Sequence, residues 1–218
     1  MSWKLIIFDC DGVLVDSEPI QNRVLAQMLC EVGLRMSYEE IIEAFMGRSM
    51  ADCLRIAEQR LGRPLPAGFE VLLQEQTFAA FERELQPVPS VEQALDRIAI
   101  PVCVASSGKL TKMRKTLALT GLLRRFEGRM FSATQVFKGK PHSDLFLYAA
   151  SEMHTAPAEC AVIEDSIAGV KAGVAAGMAV FGYASARQSE ALAAAGATVF
   201  DNMRALPDLL RNHGPKLC

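Results

Sequence analysis

Two aspartates near the start of the chain are the residues best suited to chemistry. Asp9 and Asp11 follow the short apolar run Leu5–Phe8, and Gly12 comes directly after them. The apolar run predicts a buried parallel strand, and ligands of open α/β sheets bind where such strands end. Residues two apart in an extended chain point the same way. Two carboxylates held together repel unless a proton or a cation lies between them, and Mg2+ is a suitable cation.

Asp-Gly is also a common turn, so Asp11 and Gly12 alone would leave the question open. A second polar group, Ser106, Ser107 and Gly108, follows the predicted strand 102–105. Hydroxyls and main-chain N–H groups that precede a helix can hold a phosphate. Taken alone, the same three residues favour an ordinary N-cap for the helix that follows.

Two further groups have the same character. Lys140 stands before Pro141 in a predicted loop, where the proline ring stiffens the chain beside the lysine. Glu164 and Asp165 follow the predicted strand 160–163 and are suited to binding a metal ion, although acids also favour a helix N-terminus for its dipole.

The predicted elements place these groups in a Rossmann-like α/β fold. Four amphipathic helices without an intervening strand fill about residues 17–86 and predict an inserted all-helical cap. From residue 87 onward, helices alternate with strands, which predicts a doubly wound parallel sheet with helices on both faces. We therefore expect a catalytic core of residues 1–16 and 87–218, and a cap domain of residues 17–86.

Composition narrows the class of protein. The chain has 218 residues, 50% of them hydrophobic, and a formal charge of -2, which offers no basic surface for nucleic acid. Its six cysteines show no zinc-binding spacing. No apolar stretch approaches the roughly 20 residues of a membrane span, and no signal peptide is apparent. We expect a cytoplasmic protein, monomeric or weakly homo-oligomeric, that binds neither nucleic acid nor membranes.

In their order and spacing, these motifs resemble those of the haloacid dehalogenase superfamily, in its phosphatase branch. The resemblance covers essentially the whole chain and rests on residues 9–18, Ser106, Lys140 with Pro141, and residues 164–169. It implies a Rossmann-like core with a helical cap. It also implies a Mg2+-dependent phosphatase in which Asp9 attacks phosphorus and becomes an aspartyl-phosphate.

The resemblance implies roles for the other site residues as well. Asp11 would protonate the leaving group and then take a proton from the attacking water. Ser106 and Lys140 would stabilise the phosphoryl oxygens, and Ser107 and Gly108 would help to bind them. Mg2+ would be held by the carboxylate of Asp9, the main-chain carbonyl of Asp11, and the side chains of Glu164 and Asp165.

Members of the superfamily that catalyse other reactions differ from this chain at particular residues. Dehalogenases lack the second aspartate, which is present here as Asp11. Phosphonatases use a cap lysine, and no lysine occurs between Lys4 and Lys109. β-Phosphoglucomutases carry a histidine where this chain has Gln21, and they also use a cap lysine. A phosphatase is therefore favoured over a mutase, which stays as an alternative.

The substrate predicted by the same resemblance is a small phosphorylated metabolite, such as a hexose phosphate or 6-phosphogluconate, with phosphoglycolate as a further alternative. Specificity should come from the cap, where Arg48 at a helix break and Gln21 near the hinge are candidate substrate-binding residues. Arg48 could equally be a solvated residue at a helix end. Outside the enzymes, the alternative is a sensor that binds a phosphorylated metabolite without turning it over.

Overall fold

The computed structural model describes residues 3–45, 50–184 and 186–214. The chain divides into two compact units. Residues 1–16 and 86–218 form the first unit, and residues 17–85 form the second.

The first unit is built around a six-stranded sheet in which all neighbouring strands are parallel. The strand order is β3-β2-β1-β4-β5-β6, the arrangement of a doubly wound Rossmann-like fold, so the predicted fold class is confirmed. The strands are β1 (Leu5–Phe8), β2 (Val102–Ser106), β3 (Met130–Ser132), β4 (Cys160–Glu164), β5 (Ala179–Tyr183) and β6 (Thr198–Phe200).

The central position of β1 explains its composition. All four of its side chains are fully buried, because strands lie on both sides of it and helices cover a parallel sheet. Phe8 stands level with Val104 of β2 and with Ile163 of β4. The residues that follow these three positions therefore emerge together at one edge of the sheet.

In the second unit, the part of the chain that the structure describes forms four helices: α1 (Glu18–Glu31), α2 (Tyr38–Phe45), α3 (Met50–Leu61) and α4 (Phe69–Glu84). Helix α1 packs against α4 and α2, and its buried face comes from apolar side chains at helical spacing. Ser37 and Glu40 form the capping box that their spacing predicts, each side chain accepting a hydrogen bond from the other residue's main-chain N–H.

Among the described residues, the first unit contains seven helices: α5 (Val91–Arg97), α6 (Leu110–Leu119), α7 (Leu123–Phe126), α8 (Asp144–Glu152), α9 (Ile167–Ala175), α10 (Ala186–Ala194) and α11 (Leu206–Asn212). Helix α7 was not predicted, because four residues are too few to show a helical period. The apolar faces of α8 and α9 pack on the sheet and form one hydrophobic core cluster with side chains of β1, β2, β4 and β5.

The points where the chain leaves and re-enters the first unit lie side by side. Val15 and Pro87 form an antiparallel bridge, and the N–H of Asp16 donates to the carbonyl of Gln86 at 3.0 Å. Within the described residues, the helices are too short or too polar to cross a membrane. The cytoplasmic location stays a prediction.

Candidate active site

The first acidic motif forms a tight loop directly after β1. The N–H of Asp9 donates to the carbonyl of Ile163 at 2.9 Å, which extends the β1–β4 pairing by one residue. The chain then turns, because the N–H groups of Leu14 and Val15 both donate to the carbonyl of Cys10. Gly12 adopts φ +77°, a conformation that favours glycine. Asp9 is thus fixed by the sheet, and Asp11 is carried by the turn.

Lys140 links the two acidic motifs. Its Nζ donates to Oδ1 of Asp9 at 2.5 Å and also to Oε1 of Glu164. Only 5% of the lysine side chain is exposed, against 10% for Asp9 and 0% for Glu164. The loop before α8 therefore delivers its ammonium group to the edge of the sheet between the ends of β1 and β4.

Burial controls the protonation of this group. Burial raises the pKa of Asp9 to about 7, although the positive charge of Lys140 acts in the opposite direction. For Lys140, burial acts to lower the pKa, but the charges of Asp9 and Glu164 outweigh it and hold the pKa above its usual range. The lysine is consequently a permanent positive charge beside a carboxylate that water hardly reaches.

Glu164 is held on both of its carboxylate oxygens. While Oε1 accepts from Lys140, Oε2 accepts from the N–H groups of Asp165 and Ser166 and from the Ser166 hydroxyl, at 2.9–3.0 Å. A Cβ at Gly169 would lie 1.8 Å from Oε1, so only glycine fits there. In this structure Glu164 therefore anchors the lysine, and its role as a metal ligand stays a prediction.

Asp165 lies against the loop of the first acidic motif. Its Oδ2 would be 1.9 Å from a Cβ at Gly12, so the missing side chain of Gly12 provides the space that this carboxylate occupies. The structure thus brings the end of β4 next to the Asp11–Gly12 turn, as the sequence-based site requires.

The predicted phosphate-binding residues lie at the end of β2, the other neighbour of β1. Ser106 is buried, and its Oγ accepts from the N–H of Gly108 at 3.2 Å. The carbonyl of Gly108 accepts from the hydroxyl of the buried Ser132 at 2.8 Å. Ser107 is exposed, and the residue at the N-cap of α6 is Lys109, whose side chain makes no capping bond. These contacts fix the shape of the loop without using Ser106 as a helix cap.

Two residues at this site were missed by the sequence analysis. Ser132 ends β3 and contacts the Gly108 carbonyl as described above. Its spacing to Gln135 is that of a capping box, which the structure forms, but this local pattern does not indicate the contact with Gly108. Lys112 donates from Nζ to Oδ2 of Asp11 at 2.8 Å. It lies in the first turn of α6, where the helix dipole disfavours a cation. That unfavourable placement was a signal that the lysine has an acidic partner.

Of the two candidates for substrate specificity, the structure describes only Gln21. Gln21 is half-buried on α1, and its Nε2 donates to Oγ of Ser17 at 3.1 Å. Arg48 lies outside the described residues. Their roles in substrate binding stay predictions.

The donors at the sheet edge suit a hard cation. The carboxylates of Asp9 and Glu164 contact the ammonium group of Lys140, and that of Asp11 contacts Lys112. A fourth carboxylate, that of Asp165, lies beside Gly12. Over the described ranges, no three side chains of His, Cys, Asp or Glu are grouped closely enough to hold a metal ion by themselves. Mg2+ is usually held by one or two carboxylates, with water and substrate phosphate completing its coordination. Oxygen donors with excess negative charge fit that mode of binding.

The chain is similar in sequence to proteins of one known family. A model of the family described as haloacid dehalogenase-like hydrolase matches residues 3–177. The 6-phosphogluconate phosphatase of Escherichia coli is 30% identical to the chain over 212 residues, which cover 97% of this chain and 96% of that protein.

Solved structures share the fold over nearly the full length. A haloacid dehalogenase-like protein of unknown function from Agrobacterium tumefaciens has a TM-score of 0.87 at 32% identity, covering 97% of this chain and 99% of its own. A candidate β-phosphoglucomutase from Thermotoga maritima has a TM-score of 0.81 at 26% identity, with the same coverage. The predicted fold and the prediction of a hydrolytic enzyme are confirmed, and the chain belongs to the haloacid dehalogenase-like hydrolase family.

Proposed function

We propose that this enzyme is a Mg2+-dependent phosphatase that hydrolyses a small phosphorylated metabolite through an aspartyl-phosphate on Asp9. The observation that carries the proposal is the buried contact of Lys140 with both Asp9 and Glu164 at the end of the central strand. An ion pair on the protein surface would indicate little about function. This pair is buried at the ends of the strands, where the ligands of such sheets bind.

Asp9 is the nucleophile in this proposal. Its carboxylate attacks phosphorus, the P–O bond to the leaving alkoxide breaks, and an acyl phosphate forms on the side chain. A carboxylate and a phosphate dianion repel each other, so the positive charge of Lys140 is needed beside them. Ser106, which is buried at the end of β2, would donate a hydrogen bond to a phosphoryl oxygen.

Asp11 is the acid and base of the proposed reaction. Its turn places it two residues beyond the nucleophile, on the side of the phosphate loop and Lys112. In the first step it gives a proton to the leaving oxygen, and in the second it takes one from the water that attacks phosphorus. Proton transfer by a positioned side chain contributes typically about 100- to 10,000-fold.

Mg2+ would be held by Asp9, the Asp11 carbonyl and Asp165, with Glu164 as the fourth predicted ligand. When bound, it would offset negative charge on the phosphate and on the carboxylates around it. The raised pKa of Asp9 supports this assignment, because a desolvated carboxylate among other acids gains from a nearby cation.

The proposed substrate is a sugar phosphate of the 6-phosphogluconate type. The full-length similarity to an enzyme named for that substrate supports it. Arg48 and Gln21 are the proposed substrate contacts in the helical unit.

A β-phosphoglucomutase is the second candidate, favoured by the neighbour from Thermotoga maritima. Against it stand Gln21 in place of a histidine and the lack of histidine and lysine in the sequence of residues 17–85. A mutase must protect its phosphorylated aspartate from water until a sugar hydroxyl arrives.

Phosphate release and isomerisation can be measured on the same substrate panel to test the proposal. The panel holds 6-phosphogluconate, hexose 6-phosphates, β-glucose 1-phosphate and phosphoglycolate, each with Mg2+ or with EDTA. We expect Mg2+-dependent phosphate release that Asp9→Asn reduces by at least about 10,000-fold, while Asp16→Asn, which changes an exposed aspartate, retains activity.

Three results would contradict the proposal. Turnover by Asp9→Asn near that of the wild type would remove the nucleophile. Formation of glucose 6-phosphate from β-glucose 1-phosphate faster than phosphate release would indicate a mutase. Binding of these compounds without any turnover would indicate a sensor.

A further inference from the structure

We propose that Lys112 is the residue that positions the carboxylate of Asp11 for proton transfer, an inference that rests on the proposed phosphatase function. The contact is specific: Nζ of Lys112 donates to Oδ2 of Asp11 at 2.8 Å. It joins two segments that are 101 positions apart in the chain. Each of the two side chains is 23% exposed, so the pair is more than three-quarters buried.

The side chain of Lys112 runs alongside the loop of residues 106–108. A Cβ at Gly108 would lie 3.6 Å from Cδ of Lys112 and 3.8 Å from Oδ2 of Asp11. The lysine stem therefore runs beside a glycine of the loop and ends at the acid. Since β1 and β2 are neighbours, the start of α6 is held next to the turn that carries Asp11.

Lys112 occupies a helix position that is unfavourable for a cation, which supports a functional reason for its contact with Asp11. A cation in the first turn of a helix opposes the helix dipole, so this position is locally unfavourable for a lysine. Lys112 is nevertheless directed to the one carboxylate that the proposed reaction uses for proton transfer, while Lys140 is directed to the nucleophile.

A defined orientation of Asp11 matters because proton transfer requires hydrogen-bond distance and alignment. Asp11 is carried by a turn after the strand, and the contact from Lys112 to Oδ2 restricts the rotation of its carboxylate. In this proposal the carboxylate so oriented exchanges the proton with the leaving group and with water. A misplacement of about 1 Å can reduce a rate about 100-fold.

Leaving-group dependence separates this role from a structural one. The nitrophenolate released from 4-nitrophenyl phosphate leaves without a proton, whereas the alkoxide of a sugar 6-phosphate needs one. We expect Lys112→Met to reduce kcat/KM for the sugar phosphate by about 10- to 100-fold. For 4-nitrophenyl phosphate, the reduction should stay within about threefold. Lys112→Arg should retain more activity on the sugar phosphate than Lys112→Met.

A double-mutant cycle tests whether Lys112 acts through Asp11. In the Asp11→Asn background, Lys112→Met should cause no further loss on the sugar phosphate, because the group it positions is already disabled. Lys115→Met changes another lysine of α6 and serves as the matched control, with kcat/KM for both substrates unchanged. Melting temperatures establish that each variant is folded, and Lys112→Gln replaces Lys112→Met if the latter is not.

Equal losses on both substrates would overturn the inference, since they would indicate binding of the phosphoryl group or a general structural effect. No loss on either substrate would overturn it too, as would a loss that persists in the Asp11→Asn background. A wild-type enzyme that turns over neither substrate would instead refute the proposed function, which keeps the two failures distinct.

Discussion

Replacing Lys140 with methionine tests the buried ion group at the centre of the site. Methionine fills a similar volume but brings no charge and no donor. Asp9 loses its partner at 2.5 Å, and Glu164 loses the donor at Oε1. At pH 8 the carboxyl of Asp9 must then either stay charged without a partner or take up a proton, and both outcomes lower the free energy of unfolding.

The size of the effect follows from how the two acids are buried. Removing one partner of a buried ion pair typically costs about 3–5 kcal/mol. Glu164 keeps three donors, from Asp165 and Ser166, so its share of the cost is reduced. Asp9 has 10% of its side chain exposed, so water compensates it very little. We therefore expect a loss of about 3 kcal/mol, at the lower end of that range.

Urea unfolding in EDTA at pH 8 measures this loss without a metal ion to mask it. Trp3 is the single tryptophan of the chain and is buried in the first unit, so its fluorescence reports on the unit that holds the site. Lys138→Met is the matched control, because it changes an exposed lysine two positions earlier and should shift stability by less than about 0.5 kcal/mol. A loss below about 1 kcal/mol for Lys140→Met, the range of exposed pairs, would refute the reasoning.

Three further variants test the loop, the phosphate contact and the substrate contact. Gly12→Ala should lower activity at least about tenfold, because its Cβ would displace Asp165. Gly33→Ala, also at positive φ but in open space, should lose only about 1 kcal/mol of stability, and equal activity losses in both would contradict this. Ser106→Ala should reduce kcat about 100-fold, whereas Ala at the exposed Ser151 should leave it unchanged. Arg48→Ala should raise KM for the sugar phosphate about tenfold but not for 4-nitrophenyl phosphate, and an unchanged KM would remove Arg48 as a contact.

Much of the site could be predicted because its residues occupy positions with strong local signals. Asp9 ends an apolar run, and Glu164 ends another, and a charge at the end of a buried strand has few explanations other than a site. Ser106 and Lys140 were weaker predictions, since serines cap helices and lysines cover surfaces in most proteins. The structure shows Lys140 almost fully buried on two carboxylates, which no local pattern could indicate.

The contacts that escaped prediction depend on neighbours in space. Lys112 meets Asp11 only because β1 and β2 are adjacent, and Ser132 reaches the Gly108 carbonyl only because β2 pairs with β3. Glu164 was predicted as a metal ligand from its residue type, whereas in the structure both of its carboxylate oxygens accept hydrogen bonds from protein groups.

The amino-acid sequence alone indicated where β2 and β4 end to within one residue, which segment is helical, and which side chains are candidates to bind a phosphate or a cation. These properties are local, because apolar runs, helical periodicity and residue chemistry are visible within a few positions. Only the tertiary structure decided the strand order and register, and with them the convergence of the ends of β1, β2 and β4. Register and order depend on packing between segments about 100 residues apart, so the pairing of each lysine with its acid appears only after the chain has folded.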